Sequence, residues 1–189
     1  MNRRCAAVEK EVFVKIVIIT GSHRPKSNSG ILADHFQKGA EEAGHTIFRF
    51  NSGHKKVHGC IGCDQCGMNG PCIFDDDFTS LREPLIEADM VLFSTPMYYF
   101  GMSSQLRATI DRFYAIDQRI MGGKQASLIA TFWTTDLRKA SGIVESYKNM
   151  LAYLRWSDRG ILLAGGVNAE GEVLRTEYPA QIYAFAKTL

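Results

Sequence analysis

A serine-rich turn after an apolar segment is the first place where residue types and spacing could do chemistry. Residues 14–20 (VKIVIIT) have the pattern of a buried strand, and the turn GSHRPKSNSG leads from them into the helix-like segment ILADHF. Four short hydrogen-bonding side chains lie in this turn: Ser22, Ser27, Asn28 and Ser29. They surround a helix N-terminus, whose free N–H groups favour an anion.

The ligand class follows from what this turn has and lacks. It has neither the GK[ST] ending of a triphosphate P-loop nor the GxGxxG of a dinucleotide fold. Neutral donors together with Arg24 therefore predict a site for a small phosphate monoester. The alternative is an ordinary turn between a strand and a helix, with a serine cap.

A second loop follows the strand-like segment DMVLFS and carries flat or polarizable side chains. Pro96 restricts the backbone of this turn, and Gly101 allows the backbone conformations that other residues disfavour. Between them lie Met97, Tyr98, Tyr99 and Phe100. Such a surface suits the isoalloxazine ring of a flavin, and a buried aromatic cluster below a strand end is the alternative.

A third segment, made of Thr131, Phe132 and Trp133, follows another strand-like run. These residues could close over the ring or the pyrimidine edge of such a flavin. Simple packing at the strand end explains Phe132 and Trp133 equally well, so both interpretations stay open.

Four of the five cysteines are crowded into one short segment. They are Cys60, Cys63, Cys66 and Cys72. Thiolates at this spacing could hold one [4Fe-4S] cluster, although the last gap is longer than in the bacterial ferredoxin run and no proline follows the fourth cysteine. A zinc site with four thiolates and a cysteine-rich turn without metal are the alternatives.

Strand-like and helix-like segments alternate along the chain and must position these loops. Strands are predicted near residues 14–20, 46–50, 90–94, 126–132 and 160–164, and helices at 30–43, 77–88, 104–116, 142–154 and 179–187. This alternation predicts a three-layer α/β fold, in which a parallel sheet is covered by helices on both faces.

Bulk properties limit the classes of protein. With 189 residues, of which 46% are apolar, one core and one domain are expected: a tail over residues 1–11, then a domain over 12–189 with a cysteine-rich insertion at 51–76. A net charge of +2 without a basic stripe argues against binding of nucleic acid, and no apolar run approaches the length of a membrane-spanning helix. An odd, clustered set of cysteines predicts a reducing, cytoplasmic compartment.

Three segments resemble one known family, in the right order. GSHRPKSNSG resembles the GSxRxxSN(S/T) phosphate loop of the NAD(P)H-dependent FMN reductases, a flavodoxin-like family that includes the iron-sulfur flavoproteins. The cysteine run CIGCDQCGMNGPCIFDDDF and the loop STPMYYFGMSSQLRATIDRF resemble the same family. The resemblance implies a doubly wound five-stranded sheet of order 2-1-3-4-5, with the three loops meeting at the carboxyl edge of the strands.

The resemblance also implies a function. FMN would be held by the serine-rich turn and by residues 96–101, and would pass a hydride from NAD(P)H to a small acceptor such as a quinone, an azo compound or a flavin. No dedicated acid or base is required, because the chemistry belongs to N5 of the ring.

Other outcomes stay open. One alternative is an iron-sulfur flavoprotein that carries FMN and a [4Fe-4S] cluster on the four cysteines and takes electrons from a ferredoxin. Another is a non-enzymatic sensor of flavin or redox state. A homodimer or higher oligomer is expected, because residues 97–102 would expose an apolar patch.

Overall fold

The computed structural model describes residues 13–189, so the predicted tail over 1–11 lies outside the described residues. Its strands are β1 (Lys15–Thr20), β2 (Thr46–Asn51), β3 (Met90–Tyr98), β4 (Gly101–Met102), β5 (Gln125–Phe132) and β6 (Ser157–Gly165). Five of them form a parallel sheet in the order β2-β1-β3-β5-β6, and β4 pairs antiparallel with the end of β3. The predicted doubly wound, flavodoxin-like sheet is confirmed, with the two-residue β4 as an addition.

Helices cover both faces of this sheet. They are α1 (Asn28–Glu42), α2 (Phe78–Glu87), α3 (Ser104–Asp111), α4 (Asp117–Ile120), α5 (Ser141–Leu154) and α6 (Tyr178–Ala186). Helices α1 and α6 pack on one face, whereas α2, α3 and α5 pack on the other. The helix predicted over 104–116 ends at Asp111 and continues as a 3₁₀ turn to Ile116.

The central strands are buried on both faces. Successive side chains of a strand point to opposite sides, so β1 directs Ile16 and Ile18 toward α1 and α6, and Val17 and Ile19 toward the other layer. All four are at most 2% exposed. This two-sided burial explains why the strands are continuous apolar runs rather than alternating ones.

Within residues 13–189, none of the helices combines the length and the apolar character needed to cross a membrane.

Candidate functional site

One cavity of about 250 Å³ lies at the carboxyl ends of β1, β3 and β5. Its lining residues are Ser22, Arg24, Ser27, Asn28, Ser29, Pro96, Met97, Tyr98, Thr131, Phe132, Trp133, Val167, Asn168 and Glu170. The three loops that the sequence singled out therefore meet at one edge of the sheet.

The serine-rich turn is shaped by its own hydrogen bonds. Ser27 is the N-cap of α1, and its hydroxyl accepts from the Gly30 N–H at 3.1 Å. The Ser22 hydroxyl accepts from the Arg24 N–H at 3.2 Å. The N–H groups of the first helical turn have no partner inside the helix, so this end of α1 offers donors at the cavity wall.

Ser29 supplies a further donor that the fold leaves unused. Its side chain is fully buried, and its hydroxyl has no hydrogen-bond partner among the described residues. Its carbonyl accepts from the Ser94 hydroxyl at 2.8 Å, which fixes the first turn of α1 to the end of β3. An unpaired buried hydroxyl costs about 1 to 3 kcal/mol, so this group fits a ligand oxygen well.

Asn28 ties the serine-rich turn to another segment. Its Nδ2 donates to the Ala169 carbonyl at 2.9 Å, and its Oδ1 accepts from the Val173 N–H at 3.1 Å. Arg24, which is exposed, donates from Nη1 to the Asn168 carbonyl at 3.1 Å. Both side chains thus position the segment after β6.

That segment adds three lining residues that the sequence did not predict. They are Val167, Asn168 and Glu170. One signal could have found them: they follow a parallel strand, and the carboxyl ends of parallel strands meet at one edge.

Close packing joins the serine-rich turn to the aromatic loop. The Gly21 N–H donates to the Ser94 carbonyl at 2.8 Å, and the Ser103 hydroxyl donates to the Gly21 carbonyl at 2.7 Å. The Ser103 N–H donates to Thr95 Oγ1 at 3.1 Å. A Cβ at Gly21 would lie 2.4 Å from Ser103 Oγ, so the approach requires glycine.

The aromatic loop divides between the cavity and the solvent. Pro96, Met97 and Tyr98 line the cavity. Tyr99 and Phe100 have φ angles of 46° and 65° and form a two-residue turn between β3 and β4, the kind of turn that normally takes Asn or Gly. They are 101% and 58% exposed, and neither they nor Gly101 line the cavity. The predicted role of these three in ring binding stays a prediction.

The third loop has one buried side and one exposed side. Thr131 and Phe132 are 5% and 3% exposed, and Phe132 is part of the core shared with α5. Trp133 is 74% exposed. Phe132 packs in the core and also lines the cavity, and the exposed Trp133 stands at the mouth of the cavity, so the contact of either residue with a ring stays a prediction.

The four clustered cysteines are free thiols that line one small hollow. They are Cys60, Cys63, Cys66 and Cys72. In the described part of the chain, no three His, Cys, Asp or Glu side chains are arranged to hold a metal ion. The donor set suits an iron-sulfur cluster, but the thiols are not assembled around a centre, so the metal assignment stays a prediction.

A buried ion pair closes the base of the cysteine segment. Arg112 Nη1 donates to Asp76 Oδ2 at 2.7 Å, and these side chains are 1% and 7% exposed. The same guanidinium donates to the carbonyls of His58 and Phe74, which flank the cysteines on both sides. Burial raises the pKa of Asp76, but hydrogen bonds from the His58 N–H, Arg112 and the Phe78 N–H outweigh it, and the net pKa is lowered.

Known proteins with similar sequences include iron-sulfur flavoproteins and an FMN-containing oxidoreductase. An iron-sulfur flavoprotein of Archaeoglobus fulgidus is 30% identical over 120 residues, covering 63% of this chain and 54% of that protein. YwqN of Bacillus subtilis, provisionally named an NAD(P)H-dependent FMN-containing oxidoreductase, is 28% identical over 170 residues, covering 86% and 90%. The chain spans about half the length of the iron-sulfur flavoproteins that it matches.

A solved structure and a family model complete the comparison. The NAD(P)H:quinone oxidoreductase from Methanothermobacter marburgensis is similar with a TM-score of 0.75 at 18% identity, covering 94% of this chain and 96% of that one, which shows a common fold. The family model described as NADPH-dependent FMN reductase matches residues 14–160. Since this match spans more than half of the sequence, the chain belongs to the NADPH-dependent FMN reductase family of oxidoreductases.

Proposed function

We propose that this protein binds FMN in the cavity at the carboxyl edge of the sheet and passes electrons from NAD(P)H to a small acceptor, such as a quinone, an azo compound or a free flavin. One observation carries the proposal: donors suited to a phosphate and a surface suited to a flat ring line the same cavity. Family membership supports the cofactor, and the quinone oxidoreductase with the same fold supports the class of acceptor.

The phosphate end would be held by neutral donors. We assign this role to the first-turn N–H groups of α1 with the hydroxyls of Ser22, Ser27 and Ser29, and we assign charge neutralisation to Arg24. The side chain of Asn28 has both polar ends engaged elsewhere, so its contribution would come from its backbone N–H.

The ring end would lie between the other two loops. We assign Pro96, Met97 and Tyr98 to one side of the ring and Trp133 to the mouth, where a large side chain limits the access of water. FMN, when bound, supplies hydride chemistry at its N5. Orientation of the electron donor and acceptor is then what the protein itself would supply.

The test combines FMN binding with turnover. We expect purified protein to take up FMN and to oxidise NADPH in the presence of a quinone. Ser29→Ala should bind FMN about tenfold more weakly or worse, because a hydrogen bond to a charged group is lost. The same variant without FMN should be at least as stable as wild type, because the Ser29 hydroxyl has no hydrogen-bond partner to lose.

Ser146→Ala, an exposed serine of α5 that does not line this cavity, is the matched control and should change neither property. Protein that takes up no FMN contradicts the proposal, and so does equal FMN affinity of the Ser29 variant and the control. FMN binding without turnover would favour the sensor.

The four thiols around one hollow favour a second candidate, an iron-sulfur flavoprotein fed by a ferredoxin. Anaerobic reconstitution should then give about four irons per chain. Cys66→Ser should bind less iron than wild type, whereas the control Ser146→Ala should bind as much iron as wild type. Iron-free protein after anaerobic reconstitution would exclude this candidate.

Two further parts of the proposal concern the setting of the protein. The exposed side chains of Tyr98, Tyr99 and Phe100 support a homodimer or higher oligomer, and a light-scattering mass of about the 21.1 kDa monomer would contradict it.

Four free thiols are consistent with a reducing compartment such as the cytoplasm, and cell fractionation tests that location.

A further inference from the structure

A second cavity of about 250 Å³ lies between β6 and α6, toward the amino ends of the strands. Its lining residues are Ser127, Leu128, Arg159, Gly160, Ile161, Leu162, Gln181, Ile182 and Phe185. None of them lines the proposed FMN cavity, and Ser127 stands near the start of β5, whereas Thr131 lines the other cavity near its end. The two cavities are therefore separate.

A β-bulge accompanies this cavity. Ala126 of β5 pairs with Asp158, but the next residue, Ser127, pairs with Gly160, so Arg159 is the extra residue of β6. Gly160 has a φ of 143°, and its N–H donates to Asp158 Oδ1 at 2.9 Å. Glycine is needed here because other residues rarely adopt this φ. The bulge leaves Arg159 without a partner residue on β5, and Arg159 lines the cavity together with Ser127.

The floor of the cavity holds a hydroxyl without a partner. Ser127 is 2% exposed, and its Oγ makes no hydrogen bond with any described residue. Along β5, Leu128 belongs to the core on the α5 face and Ile129 to the core on the α6 face. Because side chains alternate along a strand, Ser127 points to the α6 face, where the cavity lies.

The remaining lining determines the kind of ligand. Leu162, Ile182 and Phe185 provide apolar walls. Arg159 is exposed and forms no ion pair with the part of the chain that the structure describes. Apolar walls with one free hydroxyl, one free guanidinium and the neutral amide of Gln181 match a molecule that has a hydrocarbon body and a single anionic end.

We propose that this cavity binds a small amphipathic carboxylate. The carboxylate would lie between the Ser127 hydroxyl and the Arg159 guanidinium, since both residues line this cavity and Arg159 directly precedes Gly160, the register partner of Ser127. The hydrocarbon part would lie against Leu162, Ile182 and Phe185. The volume is below the usual range of about 300 to 1,000 Å³ for ligand pockets, so the ligand is small, such as a medium-chain acid.

Calorimetric titration with decanoate tests this proposal, with decanol as the uncharged probe of the same length. We expect saturable binding of one decanoate per chain and weaker binding of decanol. Ser127→Ala should weaken decanoate binding about threefold to tenfold through the lost hydrogen bond, without lowering the stability of the unliganded protein. Arg159→Gln should remove the preference for decanoate over decanol.

Lys148→Gln is the matched control, because Lys148 is an exposed cation of α5 on the other face of the sheet and has no ion pair in the described structure. It should bind decanoate as wild type does. The titration is run with and without saturating FMN, so that failure to bind FMN and failure to bind decanoate are seen separately.

Three results would overturn the proposal. The first is the absence of saturable decanoate binding. The second is affinity that neither Ser127→Ala nor Arg159→Gln changes, because the ligand would then lie elsewhere. The third is competition between decanoate and FMN for one site.

Discussion

Replacing Gly21 with alanine should break the contact that joins the serine-rich turn to the aromatic loop. The new Cβ would lie 2.4 Å from Ser103 Oγ, 2.8 Å from Leu106 Cβ and 3.1 Å from Thr95 Oγ1. Leu106 belongs to the buried core, so the turn must move away rather than the helix. We therefore expect both the fold and the proposed FMN cavity to suffer.

The size of the effect follows from what Ser103 does. Overpacking of a closely packed position costs about 1 to 3 kcal/mol. Ser103 Oγ donates to the Gly21 carbonyl and is also the N-cap of α3, and a lost cap costs about 0.5 to 2 kcal/mol. We expect the free energy of unfolding to fall by about 2 to 4 kcal/mol in Gly21→Ala. FMN affinity should fall about tenfold or more. The displaced turn should lose about 1.4 kcal/mol or more of binding free energy, and about 1.4 kcal/mol corresponds to a tenfold change in Kd.

Urea denaturation of the FMN-free protein and fluorescence titration with FMN measure the two effects. Gly59→Ala is the matched control, because no atom lies within 4 Å of a Cβ at that position and its φ is not left-handed. It should be unchanged or about 0.4 to 1 kcal/mol more stable. Equal urea midpoints for the two variants would refute the argument. So would a destabilised Gly21→Ala that binds FMN like wild type, because the joined loops would then not matter for the cofactor.

Three further predictions concern buried polar contacts. Asp76→Ala should lower the free energy of unfolding by about 3 to 5 kcal/mol, because it leaves the Arg112 guanidinium buried without its anion; urea midpoints near wild type would contradict this. The pKa of Asp76 is lowered in the folded protein. Its carboxylate therefore contributes its full stabilising free energy above the unfolded-state pKa of about 3.9, and this contribution is lost as the pH falls through the lower folded-state pKa. Wild type and Asp76→Ala should thus converge in free energy of unfolding under acid. Tyr147→Phe should cost about 0.5 to 1.5 kcal/mol in thermal or urea unfolding, because the Tyr147 hydroxyl donates to Asp158 Oδ1 at 3.0 Å; an unchanged stability would show that this bond is not needed.

Local signals are the reason why much of the fold and part of the cavity lining could be predicted. The caps Ser27 and Ser103 stand immediately before helices, and the hydrogen bonds that they accept come from residues three positions later. Continuous apolar runs such as the one around Ile18 mark buried parallel strands. The rule that such strands share a carboxyl edge then brings their loops together without further information.

Long-range contacts and short elements could not be predicted in this way. The carboxyl-edge rule places the loop after β6 near the cavity, but the hydrogen bond from Asn28 to the Ala169 carbonyl, 141 residues further on, is not indicated by the sequence GGVNAEGE. The strand β4 has two residues, fewer than any strand pattern requires. Its hairpin turns Tyr99 and Phe100 outward at left-handed φ angles that the residue types themselves disfavour.

A crystal structure of the protein grown with FMN would show whether the cofactor occupies the cavity at the carboxyl edge of the sheet. We expect the FMN phosphate within hydrogen-bond distance of Ser29 Oγ and the first N–H groups of α1, with the ring between Pro96–Tyr98 and Trp133. FMN bound at any other place, or the cavity left empty at saturating FMN, would contradict it.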